Sequence, residues 1–185
     1  MSARGARADS HRVTAVLYRI DRQDTIVETG GAWDDFARAN GGVPPAVGRP
    51  LWHFIAGKDV RATWALLLRR VREGRIPVAF LYRCDGPGVR RLMQMELLAD
   101  RAGSVQFRST AVSVVETETV VGRWETGSAR DTVLICGWCG RVHAGDWVQP
   151  ERAIGLLGHH EVRRPRLSHG ICDSCAGELK SAASA

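Results

Sequence analysis

Short runs of alternating apolar and polar residues occupy much of the first two thirds of the chain, and stretches with helical spacing interrupt them. Alternation predicts a strand at Val13–Ile20 and its hairpin partner at Thr25–Thr29. The same pattern predicts three later strands, at Val78–Arg83, Arg90–Leu98 and Val105–Val115. Mixed elements of this kind indicate an α+β domain.

Helical spacing falls between the hairpin and the last three strands. Apolar residues recur every three or four positions in Ala32–Asn40 and, most regularly, in Asp59–Arg72, where most arginines lie on the opposite face. A short apolar turn is predicted at Leu51–Ile55. The predicted order over residues 13–116 is therefore two strands, several short helices and three strands.

Composition divides the 185 residues into four parts. Residues 1–12 are small, polar and basic, which predicts a disordered tail, and they lack the apolar block of a secretion signal. Residues 117–131 are polar and are predicted to link the domain at 13–116 to a small module at 132–182. No apolar run approaches the roughly 18 residues needed to cross a bilayer, so a cytoplasmic protein is expected.

Four of the five cysteines form two CxxC pairs, Cys136 with Cys139 and Cys172 with Cys175, separated by 32 residues. The two-residue gap lets both sulfurs of one turn reach the same ion, and a second pair completes a tetrahedron. A single four-thiolate site is predicted, with zinc preferred and an iron–sulfur cluster or thiol redox chemistry as alternatives. A closed site of this kind has no open position for water, so the metal is expected to be structural.

Neighbouring side chains are candidates for contacts to these sulfurs. His169 would either replace or hydrogen-bond to one sulfur, although a backbone bond that fixes the turn is the preferred interpretation. Trp138 and Arg141 offer N–H donors, and Trp138 alternatively caps a small core. A short helix is predicted at Cys175–Lys180, and a helix start favours thiolates. Cys84 lies alone on a predicted turn and is expected to be an ordinary thiol.

Aromatic residues concentrate in the helical half of the α+β domain. They either line a small-ligand pocket or pack in the core, and core packing is the simpler interpretation. These candidate pocket residues are Trp33, Phe36, Trp52, Phe54 and Trp64. A haem ligand at His53 is a weaker alternative. The sequence has no glycine-rich phosphate loop, nucleophile elbow or deaminase signature, so no catalytic residue is assigned and an enzyme is not expected.

The formal net charge of +6 raises the question of a nucleic-acid partner. Residues 131–185 contain six basic and six acidic residues, so the cysteine module is formally neutral and the whole excess lies in residues 1–130. Phosphate contacts require clustered lysine or arginine. A transcription-associated nucleic-acid binder therefore ranks below a protein that binds a ligand or a protein partner.

Two motifs resemble those of a bacterial group of PAS-domain sensor proteins. The first is the strand-turn-strand sequence from Tyr82 to Met95, and the second is a CxxC, a tryptophan-containing stretch and Ser168-His169-Gly170-Ile171-Cys172 at the second CxxC. The element order is also similar to that of a PAS domain, and the resemblance spans roughly residues 13–180.

This resemblance implies a five-stranded antiparallel sheet with helices across one face, enclosing a ligand pocket or a packed core. A treble-clef-like zinc module would follow it. It also implies a role in signal transduction, through a protein partner or a homodimer. No kinase, cyclase or helix-turn-helix follows the module in the sequence, so a non-enzymatic sensor or adaptor is expected.

Overall fold

Two sheets and four α-helices make up the part of the chain that the computed structural model describes. That part comprises residues 15–42, 45–74, 76–86, 88–117, 132–157 and 166–184. The predicted tail at 1–12 and all but the first residue of the predicted linker at 117–131 lie outside it. None of the helices in these ranges has the length and apolar character that crossing a bilayer requires.

Five antiparallel strands form the larger sheet, in the spatial order β2-β1-β5-β4-β3. They are β1 (Val16–Ile20), β2 (Ile26–Gly31), β3 (Val78–Arg83), β4 (Val89–Ala99) and β5 (Val105–Glu116). Each of the five predicted strands is present, although the first two residues predicted for β1 lie outside the described part. The mixed α+β class and the five-stranded antiparallel sheet are confirmed.

The β1–β2 turn shows why the hairpin forms where the sequence predicts it. The Asp21 carboxylate accepts the backbone N–H groups of Gln23 at 2.9 Å and Thr25 at 2.8 Å. Asp24 takes the left-handed conformation, with φ of 62°. Aspartate tolerates this conformation because its short side chain bonds to nearby backbone.

Helices α1 (Trp33–Ala39) and α2 (Lys58–Gly74) pack on one face of the larger sheet, and a single 3-10 turn lies at residues 51–53. That face carries Tyr18 and Phe107, whose rings stack with centroids 4.2 Å apart. Trp33 of α1 meets Tyr18 at 5.2 Å, and Trp64 of α2 meets Phe107 at 5.9 Å. The helix prediction over Asp59–Arg72 is confirmed, with α2 slightly longer at both ends.

The cysteine module contains a second sheet of four strands, in the order β8-β7-β6-β9, and two helices. Its elements are β6 (Thr132–Cys136), β7 (Val142–His143), β8 (Trp147–Val148), α3 (Pro150–Leu157), β9 (Arg166–Gly170) and α4 (Asp173–Ser184). The sequence patterns predicted only α4 among these, and placed its start at Cys175. The helix begins two residues earlier, where Asp173 in the first turn complements the positive helix end.

One continuous core joins the module to the larger sheet. It contains Ile20, Leu67, Leu97 and Phe107 together with Cys136, Trp138, Cys172, Cys175 and Leu179. A smaller cluster lies within the module itself, formed by Val133, Ile135, Val142 and Ala153. The metal-ligand candidates therefore belong to the larger core and not to the module's own.

Candidate metal centre

The two CxxC pairs meet in one cluster, and all four Sγ atoms lie within 4.8 Å of one another. The Sγ atoms of Cys139 and Cys172 are 3.7 Å apart. Four sulfurs arranged tetrahedrally at about 2.3 Å from one ion would be about 3.8 Å apart. The cluster therefore has the donor type and spacing to bind a metal such as zinc, and thiolates also hold iron–sulfur clusters.

A tight turn after β6 positions the first pair. The N–H of Gly140 donates to the carbonyl of Cys136 at 3.0 Å, and the N–H of Cys136 donates to the carbonyl of Arg141 at 2.8 Å. Gly140 has φ of 69°, a conformation that residues with a Cβ rarely adopt. The turn reverses the chain within a few residues, so the Cys139 sulfur returns to the side of Cys136.

Parallel pairing of β6 with β9 brings the second pair to the first. The register places Cys136 opposite Gly170, and the N–H of Gly137 donates to the Gly170 carbonyl at 2.9 Å. Parallel strands end at the same edge of a sheet, so the residues that follow β9 emerge beside Cys136. Cys172 is the second of these residues, which explains how cysteines so far apart in sequence converge.

The start of α4 carries the second pair. Cys172 directly precedes the helix, its carbonyl accepts the N–H of Ala176 at 2.9 Å, and Cys175 lies in the first turn. The unpaired amides at a helix start carry partial positive charge. Both cysteines of this pair therefore lie at the helix end that carries partial positive charge.

Backbone amides also donate directly to the sulfurs. The N–H of Cys172 lies 3.4 Å from the Cys136 Sγ, and the N–H of Cys175 lies 3.5 Å from the Cys172 Sγ. Hydrogen bonds to a charged form favour that form. The turn and the helix start thus orient the sulfurs and direct N–H donors at the sulfurs of Cys136 and Cys172.

Neighbouring sulfurs shift each other's pKa. A hydrogen bond from Cys139 lowers the pKa of Cys136 to about 4, and the same bond, with burial, raises the pKa of Cys139 far above its usual range. Burial, followed by the bond with Cys172, raises the pKa of Cys175 to about 12. A bound cation reverses this tendency, because its charge displaces the remaining thiol protons.

Trp138, between the two ligands of the first pair, is a core residue. Only 3% of its surface is exposed, and its ring lies 5.3 Å from that of Trp64 and 5.7 Å from that of Phe80. Its buried indole N–H has no hydrogen-bond partner among the described residues. The ring is therefore packed in the core, and its N–H makes no bond to a sulfur among the described residues.

Arg141 and His169, two further candidates near the sulfurs, make contacts through their backbone atoms. The Arg141 N–H bonds to Cys139 and acts to lower the pKa of that thiol. The carbonyl of His169 lies so close to Gly57 that a Cβ there would come within 2.1 Å of it. The metal-competent cluster found in the described part of the chain consists of the four cysteines without His169.

Three of the five candidate pocket aromatics make separate contacts. Trp33 packs edge-on against Tyr18, and the guanidinium of Arg91 lies 5.4 Å above the ring of Phe36. Phe54 is 46% exposed. Each of these rings therefore has a different environment.

The other two aromatics also lie apart. Trp52 donates its indole N–H to the Asp24 carboxylate at 3.0 Å, whereas Trp64 packs against Phe107 and Trp138 in the core. Trp52 lines a surface cavity of about 250 Å³ beside α2. A shared ligand pocket for the five aromatics stays a prediction.

Sequence reasoning missed the residues that attach the metal centre to the larger sheet. The backbone N–H of Arg83, at the end of β3, donates to the carbonyl of Trp138 at 2.6 Å. The Arg83 side chain donates to Gln149 at 2.9 Å and pairs with Asp85. Arg83 belongs to the motif that carried the family resemblance, but no local pattern shows that two of its partners, Trp138 and Gln149, lie more than 50 residues away.

No family model matches the chain, and no curated protein matches it. The candidate chemistry of the described residues therefore lies in four sulfurs that can hold a metal and that pack in the core shared with the five-stranded sheet.

Proposed function

We propose that this protein is a non-enzymatic bacterial signal-transduction sensor or adaptor of the PAS type, with a structural zinc ion held by the four cysteines. The observation that carries the proposal is the shared core between the larger sheet and the four-cysteine cluster. The sheet with helices on one face, in the order two strands, helices and three strands, supports the PAS part.

The close spacing of the sulfurs supports zinc over an iron–sulfur cluster. The ligands would be Cys136, Cys139, Cys172 and Cys175, whose sulfurs lie within 4.8 Å of one another. In a cluster the thiolates bind different irons and spread over a wider volume, whereas a single ion draws all four together. Bound zinc would cross-link the two pairs without redox chemistry, and in small zinc peptides such binding is worth on the order of 10 kcal/mol of folding energy.

Metal analysis of anaerobically purified protein tests the zinc proposal. We expect one zinc per chain and no visible absorption. Iron with visible absorption would replace the structural role with that of a redox or iron sensor. A chain without stoichiometric metal would contradict both.

Partner or homodimer binding is proposed for the sheet face opposite the helices. Leu81, Leu98 and Val115 lie on this face, and each is about half exposed. The three residues are spread along the face, since Val115 pairs with Arg90, eight residues from Leu98 on β4, so a partner would contact the face over several strands. A homodimer or a protein partner would cover them.

Light scattering and native mass spectrometry test this part. We expect a homodimer, or a retained ligand or signalling partner, in protein isolated from its native host. Leu98→Glu should weaken a dimer, whereas Gln106→Asn, at the position paired with Leu98, should not. A monomer with neither ligand nor partner would contradict the proposal, and salt-dependent binding of duplex DNA would favour the nucleic-acid alternative.

A further inference from the structure

Strand β3 lies at an edge of the larger sheet, so half of its backbone groups point away from β4. In an antiparallel ladder, successive residues point their N–H and C=O groups alternately toward the partner strand and away from it. The N–H of Cys84, just after β3, donates to the carbonyl of Arg91 at 3.0 Å, so the N–H of Arg83 points outward. It bonds to the carbonyl of Trp138.

The metal-binding turn therefore closes directly on the sheet edge. Trp138 lies in the chain between two metal-ligand candidates, Cys136 and Cys139. Its ring fills the core between Trp64 and Phe80, and its carbonyl holds the edge amide. Any force that fixes the two cysteines also fixes the group that caps Arg83.

Helix α4 covers the next part of the same edge. Residues 79–81 of β3 and the buried Cys175 and Leu179 of α4 line a common cavity of about 250 Å³. Because Cys175 is a metal-ligand candidate, the position of α4 along the edge also depends on the cysteine cluster. Both covers of the β3 edge are thus attached to the same four sulfurs.

The module's own core is separate from this contact. Val133, Ile135, Val142 and Ala153 form their own buried cluster, and Val142 is fully buried. A change there can loosen the module without emptying the aromatic contact around Trp138. The chain therefore offers a matched comparison between the two parts of the module.

We infer that metal occupancy controls whether the β3 edge of the five-stranded sheet is covered, an inference that rests on the proposed metal site. With the metal bound, the Cys136–Cys139 turn and α4 cap β3. Without it, Trp138 leaves the aromatic core and the outward N–H of Arg83 opens to solvent. In a sensor, metal loss would then be the input, and the uncapped strand would be the response. An uncapped edge strand is a template for pairing with another strand.

Residue-resolved amide hydrogen exchange on the full chain tests this inference. The protein is compared with zinc bound and after removal of zinc by a chelator under reducing conditions. We expect exchange of the Arg83 amide to become about tenfold faster or more, the factor that corresponds to one ordinary hydrogen bond. The amides of Phe80 and Tyr82 bond to β4 in the same alternation, so they should stay protected.

Two variants of the zinc-bound protein sharpen the test. Trp138→Ala should speed Arg83 exchange about tenfold, because the ring that anchors the turn is lost. Val142→Ala should leave Arg83 exchange unchanged, since it removes a buried side chain of the module's separate core. Equal acceleration by both variants would overturn the inference, because the edge would then follow the general stability of the module.

The remaining outcomes separate the inference from the proposed function. Zinc that binds, but whose removal leaves Arg83 as protected as Tyr82, overturns the inference alone. Zinc removal that deprotects every strand of the sheet also overturns it, because the metal would then hold the whole sheet and not its edge. A chain that binds no zinc removes the inference and the proposed metal site together.

Discussion

The larger sheet and the cysteine module are held together by different means. The sheet buries a continuous row of large apolar side chains against α2, with Leu67, Leu97 and Phe107 completely shielded. The module's own cluster contains four buried residues, and its sulfurs and Trp138 pack instead into the larger core. Small units with little apolar surface need a cross-link or a neighbour. This module has the neighbour, and the proposed metal would supply the cross-link, so its stability should depend on the metal far more than that of the sheet.

Removing one metal-binding cysteine tests this difference with the largest expected effect. Cys172→Ser should abolish stoichiometric metal binding, because the Cys172 Sγ lies 3.7 Å from that of Cys139 and accepts the N–H of Cys175. The module should unfold, since metal binding in comparable zinc units supplies on the order of 10 kcal/mol. Metal analysis and circular dichroism measure both effects. Cys84→Ser is the control, because Cys84 lies outside the cluster and should leave metal content unchanged.

A cavity in the sheet core should instead weaken both regions. Phe107 is fully buried and stacks on Tyr18. Phe107→Ala should lower the free energy of unfolding by about 4 kcal/mol, the range for deleting a buried aromatic ring. Val112→Ala is the control on the same strand, where the side chain is 55% exposed and the loss should stay below about 0.5 kcal/mol. Chemical denaturation of the metal-bound protein, followed at sites in both regions, would show one shared transition; a metal-bound module that melts independently would contradict the shared core.

The two regions also differ in how far the sequence predicts them. In the sheet region, strands of five to twelve residues are long enough to show alternation, and α2 is long enough to show helical spacing. In the module, Val142–His143 and Trp147–Val148 are two-residue strands, too short for any periodicity. Helix α3 had a usable signal, because proline followed by glutamate at Pro150 and Glu151 is typical of a helix start.

The site shows the same division. The spacing of the four cysteines predicted the ligand set, because a CxxC turn has only one simple way to present two sulfurs to an ion. The attachment of Trp138 to the larger core was not predictable, since a tryptophan in a short loop does not indicate which core receives it. The bond from Arg83 to Trp138 joins residues 55 positions apart by backbone alone, and no side-chain pattern records it.

A smaller effect is expected at a polar contact within the sheet region. Arg72 pairs with Asp24 at 2.7 Å and donates to the carbonyls of Asp21 and Gly103, tying α2 to two turns of the sheet. Arg72→Met should cost about 2 kcal/mol, because the partly buried Asp24 loses its charged partner and two carbonyls lose donors. Thermal melts measure the loss. Arg69→Met, at an exposed position of the same helix, should change stability little, and an equal loss there would show that the ion-pair network adds nothing.

A further effect is expected only at high pH, and it belongs to the sheet region. Burial raises the pKa of Tyr82 from 10.0 to about 12, although its bond with Ser109, 2.6 Å between oxygens, acts in the opposite direction. The folded state therefore holds the phenol proton more tightly than the unfolded state. Its stabilising contribution is complete below pH 10 and is lost as the pH rises from there through about 12.

Tyr82→Phe isolates this effect. The substitution removes the hydroxyl bond, at a cost of about 1 kcal/mol near neutral pH, and also removes the group that titrates. Unfolding free energies measured from pH 9 to 12 should consequently fall less steeply for Tyr82→Phe than for the parent. Burial also raises the pKa of Tyr18, the other tyrosine, but Tyr18 is present in both proteins and does not contribute to the difference. Identical slopes would mean that Tyr82 ionises as easily in the fold as outside it. The difference in slope would arise in the sheet region and not in the module, because both tyrosines lie in the larger sheet.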